Sequence, residues 1–221
     1  MLKTMRKHAK FFYFLFFIVI LSFIFWGVGT LDKPTAVSVA EIGKEKITVE
    51  EYWRAYENVR QQLRDIYKEK FNEEMEKSLK LKETVLNSLI DERVLLISAA
   101  ELGVKVTDKE LQDAIVNDPR FMRDGIFRKD VYFRTLDLNR LTPEMFENSM
   151  RQQLTLIKMR RFIASTIDIN PLDLKGVAGD EKKVNEARQA ILADKSNAAI
   201  KSYVDSVKQR MKFKVNMDLI S

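Results

Sequence analysis

Cysteine is absent from this sequence, and histidine occurs once, as His8. The first absence excludes disulfides and thiolate metal sites. The second excludes, beyond residue 8, every site that needs an imidazole, including Ser–His and Cys–His nucleophile pairs and His-ligated metals. Seven glycines and four prolines in 221 residues are too few for the turns of an all-β fold. A block of one charge is missing too. The net charge of +6 divides into +4 over residues 1–33, −4 over 34–150 and +6 over 151–221, with both signs interleaved after residue 33. No basic stripe with stacking aromatics accompanies it, so nucleic acid is not an expected partner.

Catalytic machinery is equally scarce. No Gly-rich phosphate loop occurs. The adjacent carboxylates Glu50/Glu51, Glu73/Glu74 and Asp91/Glu92 lie in helical stretches beside basic residues, where a solvated face is the simpler reading than a catalytic dyad. Neither an enzyme, a metal nor a cofactor is expected.

What is present begins with a long hydrophobic run. Phe11 to Leu31, "FFYFLFFIVILSFIFWGVGTL", carries no charge over 21 residues, enough for a helix to cross a hydrocarbon core of about 30 Å. Lys3, Arg6, Lys7 and Lys10 precede it, while Asp32 and Lys33 nearly cancel after it. This asymmetry predicts a single-pass transmembrane helix at 11–31, a cytoplasmic basic flank at 1–10, and the bulk of the chain in the periplasm. Trp26 suits an interfacial anchor. The rival reading is a cleaved signal peptide. The run exceeds a usual h-region, and the one small-x-small match, Ser38-Val39-Ala40, falls inside an expected strand.

Strand signals sit at the two ends of the remainder. Val37–Ile42 and Glu45–Ile47 form a hairpin pattern hinged at Gly43-Lys44. Phe213, Val215, Met217 and Leu219 alternate with Lys212, Lys214, Asn216 and Asp218, a half-buried strand that needs a partner. The hairpin is the expected partner. Between them the pattern is helical. Thr48 with Glu51 forms a capping box before Tyr52, Tyr56, Val59, Leu63 and Ile66. A second helix carries Leu81, Val85, Leu89, Val94, Leu95 and Ile97 and ends near Gly103. Thr107 with Glu110 caps a third, bearing Leu111 and Ile115, that stops before Asp118-Pro119. A turn-rich "RFMRDGIF" and a short helix around Val131, Tyr132 and Leu136 follow. Thr142-Pro143 opens a helix faced by Phe146, Met150, Leu154, Ile157 and Phe162. Residues 171–180 read as a linker, followed by a charged helix over Glu181–Ala193, a closing helix and the terminal strand. The expected fold is mainly α: the transmembrane helix, a helical domain over 34–170, and a C-terminal part, 181–221, that completes it through a small β-sheet.

Soft and aromatic side chains concentrate between residues 121 and 160. Phe121, Met122, Phe127, Tyr132, Phe133, Met145, Phe146 and Met150 are the candidate peptide-binding residues, because methionines and aromatics adapt to irregular apolar partners. Ordinary core is the bland reading of each alone. The functional reading needs only a few exposed together.

The order "VAEIGKEKITVEEYWRAYENVRQQL", "LKETVLNSLIDERVLLISAAELGVKVTDKELQDAI" and "DPRFMRDGIFRKDVYFRTLDLNRLTPEMFENSMRQQLTLIKM" resembles the N-terminal chaperone domain of the SurA/PpiD-like periplasmic chaperones, over roughly residues 36–165. The basic flank and membrane run resemble the anchored members. The resemblance implies that the C-terminal helix and strand return to complete the chaperone domain. Family members usually insert a parvulin-type prolyl isomerase domain before that return. Here about 30 residues separate Asn170 from Ala199, where such a domain takes on the order of a hundred, and its histidines are missing, so isomerase activity is not expected. The expected function is membrane-tethered, ATP-independent binding of unfolded exported polypeptides, with inner-membrane lipid contacted through residues 11–31 and the translocon as a further candidate partner. The alternative is a membrane-anchored helical adaptor docking one specific envelope or translocon partner.

Overall fold

The structure, a computed structural model, describes residues 37–175 and 180–220. The expected cytoplasmic flank, the transmembrane helix at 11–31 and residues 176–179 of the expected linker lie outside the described residues. Among the described residues no helix is long and apolar enough to cross a membrane.

The chain enters through a hairpin of β1 (Ser38–Ile42) and β2 (Glu45–Thr48). Thr48 then caps α1 (Val49–Tyr67), its hydroxyl accepting from the Glu51 N–H at 3.1 Å. Only half of the expected capping box forms, because the Glu51 carboxylate turns away to Arg93, at 2.6 Å from Nη2. The short α2 (Glu73–Ser78) leads to α3 (Leu81–Glu101). Gly103, at φ +71°, ends α3. Its N–H donates to the Ala100 carbonyl, and the Val104 N–H donates to that of Ala99 at 2.8 Å. This is a Schellman closure, which a left-handed glycine makes without a Cβ penalty. Thr107 and Glu110 form the complete capping box of α4 (Asp108–Val116).

The turn-rich segment is a miniature hairpin, β3 (Met122–Arg123) and β4 (Ile126–Phe127). Asp124 and Gly125 both have positive φ, as a two-residue type I′ connection requires. Next come α5 (Lys129–Leu138) and α6 (Pro143–Ala164), the latter capped by Thr142 with Pro143 in its first turn. A 3-10 turn at Pro171–Leu174 precedes α7, one continuous helix over Glu181–Arg210 where the sequence suggested two. No glycine or proline interrupts those residues, so nothing local breaks the helix. Last is β5 (Phe213–Val215).

The sheet order is β2-β1-β5, antiparallel throughout, with Ala40 opposite Val215 and Ile42 opposite Phe213. The expected meeting of hairpin and tail is thus present. The terminal strand is shorter than the alternation to Leu219 suggested. After the Asn216 N–H donates to the Val39 carbonyl, a 3-10 turn over Met217–Leu219 swings Ile220 inward, where it is 1 % exposed. Burial of a large aliphatic side chain outweighs three further residues of marginal edge pairing.

Two apolar clusters result. The larger joins Ile42, Ile47, Tyr52, Leu86, Ile90, Leu95, Met159, Val207 and Ile220, binding the sheet to α1, α3, α6 and α7. The smaller joins Val106, Leu111, Ile115, Phe121, Tyr132, Leu136 and Phe146. α6 serves both: Phe146 is buried in the small cluster, Met159 and Ile163 in the large one. The expected apolar face of α6 therefore departs from the observed one beyond Leu154. Ile157 and Phe162 are exposed, because the buried line shifts to Leu156, Met159 and Ile163 where the helix passes onto the larger body. Ile66 is exposed as well, at the far end of α1.

Candidate functional site

Polar clamps on α6 fix the small cluster and with it a groove. The Arg151 guanidinium donates to the Val106 carbonyl at 3.0 Å and pairs with Asp108 at 2.9 Å. Lys158 Nζ donates to the Lys105 carbonyl at 2.7 Å and to Glu110 at 2.8 Å. These contacts hold α4 against α6. The Lys158 ammonium, with the Thr107 N–H and hydroxyl, lowers the Glu110 carboxyl to a pKa of about 2.

Inside the cluster the rings pack edge to face. Phe121 meets Tyr132 at 4.9 Å between centroids and Phe146 at 5.4 Å, the arrangement ring quadrupoles favour. The Arg120 guanidinium, held by Asp118 at 2.6 Å, lies over the Phe121 and Phe146 rings. Burial pushes the Tyr132 hydroxyl above its ordinary pKa, and the Glu147 carboxylate adds to the shift.

On the solvent side of this cluster, α4, α5 and α6 leave an open groove of about 400 Å3, lined on its apolar side by Leu111, Ile115, Val116, Phe127, Tyr132 and Phe133. Its rim is charged by Lys129, Glu147, Asp108 and Arg151, with the Lys129 ammonium 5.8 Å from the Phe133 ring centroid.

The structure sorts the eight candidate residues into distinct positions. Phe127, Tyr132 and Phe133 share the groove. Phe121 and Phe146 lie behind it as cluster core. Met122 and Met150 are half-buried, Met150 packing against the small cluster. Met145 is exposed at the start of α6 and is not among the groove residues. Sequence reasoning assigned Leu111 and Ile115 to a helix face without seeing that the same face lines a groove.

It also missed a larger groove, of about 770 Å3, where the β1–β2 turn, α3 and α6 meet. Ile42, Leu96, Ile97, Ala100 and Met211 form its apolar wall. Arg93, paired with Glu45 at 3.1 Å and Glu51 at 2.6 Å, is fixed at its edge. The one available signal was Ile97, on the less buried side of α3.

Among the described residues no group of three or more His, Cys, Asp or Glu side chains converges to hold a metal ion. Two open apolar grooves on a rigid helical frame can receive the side chains of a polypeptide.

Fold and grooves together define a class: a helical domain with open apolar grooves, closed by a sheet that joins the two ends of the described chain. The family model for the SurA-like N-terminal domain matches residues 1–160, and the chain belongs to that family. It is 33% identical over 158 residues to the periplasmic chaperone PpiD of Escherichia coli K12, covering 69% of this chain and 25% of PpiD. The foldase protein PrsA of Caldanaerobacter subterraneus subsp. tengcongensis is 27% identical over 194 residues, covering 80% of this chain and 56% of PrsA. The chain thus spans about a quarter of the PpiD length. Its fold is shared, at a TM-score of 0.51 and 13% identity, with a structure from work on PEB4 and Cj1289, two structurally related SurA-like chaperones of Campylobacter jejuni. That likeness covers 81% of this chain and 99% of the other.

Proposed function

We propose that this protein is a membrane-tethered periplasmic chaperone that binds unfolded stretches of exported polypeptides, without ATP and without prolyl isomerase activity. The observation that carries the reading is the groove between α4, α5 and α6, where Phe133 stays 42 % and Val116 38 % exposed beside half-buried Phe127, over a buried floor of Leu111 and Ile115. A monomeric surface rarely leaves large apolar side chains grouped in this way unless they meet a partner. Each large client side chain buried there contributes about 1.5–3 kcal/mol, and ordering the client subtracts from the total, so binding is weak and exchangeable. A chaperone needs that, because it must release its client. The periplasmic chaperone PpiD and the foldase PrsA support the reading by kinship. The charge-free run at 11–31 behind a basic flank supports the tether, which keeps the domain near emerging chains at raised effective concentration. Peptide contacts are assigned to Phe127, Tyr132 and Phe133, with Met122, Met145 and Met150 as flanking adaptable surface and Phe121 and Phe146 as the support behind them.

The test is light scattering from two unrelated denatured proteins diluted into buffer with the full chain and no nucleotide. Suppression of both at near-equimolar ratios, weakened several-fold by Phe133→Ser, is the expected result. Suppression of neither sinks the proposal. A single stoichiometric partner would favour the adaptor instead. In a proline-peptide assay the isomerisation rate stays at the uncatalysed value.

A further inference from the structure

β5 is the outer strand of its sheet, and among the described residues no strand lies beyond it. The Lys212 carbonyl accepts from the Gly43 N–H, and the Asn216 N–H donates to the Val39 carbonyl, both at 2.9 Å. Hydrogen bonding alternates along an antiparallel ladder. Residues 212, 214 and 216 therefore turn their backbone groups to β1, while Phe213 and Val215 turn theirs to the open side. The same two residues carry uncovered side chains. Phe213 lies opposite Ile42 and Val215 opposite Ala40, on one face of the sheet. Ile42 and Ala40 are each 1 % exposed, yet Phe213 is 42 % and Val215 37 % exposed. The helices that cover β1 stop short of β5. On the opposite face the edge is cationic, with Lys212 and Lys214 both exposed.

We propose that the β5 edge is a strand-addition site for an extended polypeptide segment that alternates apolar and acidic residues. The site rests on the chaperone reading above for the source of its partner. Outward N–H and C=O groups of Phe213 and Val215 pair with the backbone of the incoming segment, as in β-augmentation. Its apolar residues continue the surface begun by Phe213 and Val215, and its carboxylates face Lys212 and Lys214. The same charges argue against a second copy of this chain as the occupant. An antiparallel pair of β5 strands that sets Phe213 against Val215 places Lys214 opposite Lys214, and like charges directly opposite are destabilising.

The probe is a fluorescein-labelled nine-residue peptide alternating valine and glutamate, titrated against the full chain by anisotropy. Three comparisons accompany it: lysine in place of glutamate, the valine amides N-methylated, and the Val215→Pro protein. Proline is tolerated where an edge N–H faces outward, and circular dichroism checks that the variant keeps its helices. The expected result is binding of the acidic peptide, at least tenfold weaker for the lysine peptide, the methylated peptide and the Val215→Pro protein. Exchanging both lysines, Lys212→Glu with Lys214→Glu, should turn the preference toward the lysine peptide. The methylated peptide needs no protein variant, so a misfolded Val215→Pro leaves the test standing. Equal binding of the methylated or lysine peptide overturns strand addition, as does a dimer of the chain that Val215→Pro dissolves. If the acidic peptide fails to bind while aggregation is still suppressed, the edge proposal falls and the chaperone reading survives. If the peptide binds but no aggregation is suppressed, the chaperone reading falls and the edge survives.

Discussion

Phe121 and Phe133 are the same side chain in opposite roles. Phe121 is 1 % exposed and locked edge to face between Tyr132 and Phe146. Truncation there leaves a cavity flanked by two rings that cannot close over it, so Phe121→Ala should cost about 3–5 kcal/mol by denaturant titration. Phe133, beside Tyr132 on α5 but turned out of the cluster, is 42 % exposed. Phe133→Ala should stay within about 0.5 kcal/mol of the parent protein while weakening client binding. The two roles are indistinguishable in the sequence. Both residues sit in one stretch rich in Phe, Met and Tyr, and the direction of each side chain depends on the β3–β4 hairpin. That hairpin is set by two positive-φ residues, Asp124 and Gly125, and leaves no apolar periodicity to read. The candidate residues therefore mix the lining of one groove, at Phe127, Tyr132 and Phe133, with the core behind it, at Phe121 and Phe146.

Helix ends were far easier to read than helix faces. Thr48, Thr107 and Thr142 each accept from the backbone three residues on, a local contact that needs only the local sequence. Gly103 likewise announced the end of α3. Its φ is +71°, and the space where a Cβ would stand is open. Gly103→Ala therefore meets no clash, and only the left-handed backbone is penalised. About 1–2 kcal/mol is expected in thermal unfolding. Faces depend on what the helix meets. α6 turns its apolar line because it joins two clusters, which no window of its own sequence reveals. The α4–α6 clamp adds a pH signature. Glu110 ionises at about 2 in the folded state against an ordinary value of 4.5. Its folded pKa is depressed, so the stabilisation is present above the ordinary value and is lost as pH falls from about 4.5 toward 2. Between those limits the contact of Lys158 with Glu110 should weaken, seen by NMR as pH-dependent shifts of the Thr107 and Glu110 amides. Glu110→Gln should flatten that pH dependence.

At the scale of the whole molecule, the sheet closes a very long loop. Ile42 pairs with Phe213, and every helix of the described chain lies between them. Closing so long a loop costs entropy that rises only slowly with length, and the reward comes at the end, when Ile220 enters the large cluster that also holds Val204 and Val207. The helices meanwhile form contacts of short sequence separation, which assemble first. Tail docking should therefore follow the folding transition state. Ile220→Ala removes a side chain 1 % exposed and should cost about 2–5 kcal/mol at equilibrium. If docking is late, that loss appears almost wholly as faster unfolding, with the folding limb of the chevron unmoved and φ below about 0.3. Leu95→Ala in α3 should behave differently, slowing folding as well, since α3 touches the sheet and α1, α6 and α7 alike. A φ near 1 at Ile220 would mean that the tail docks first and the helices assemble on an already closed sheet. The helical body would then be templated by its β platform rather than sealed by it.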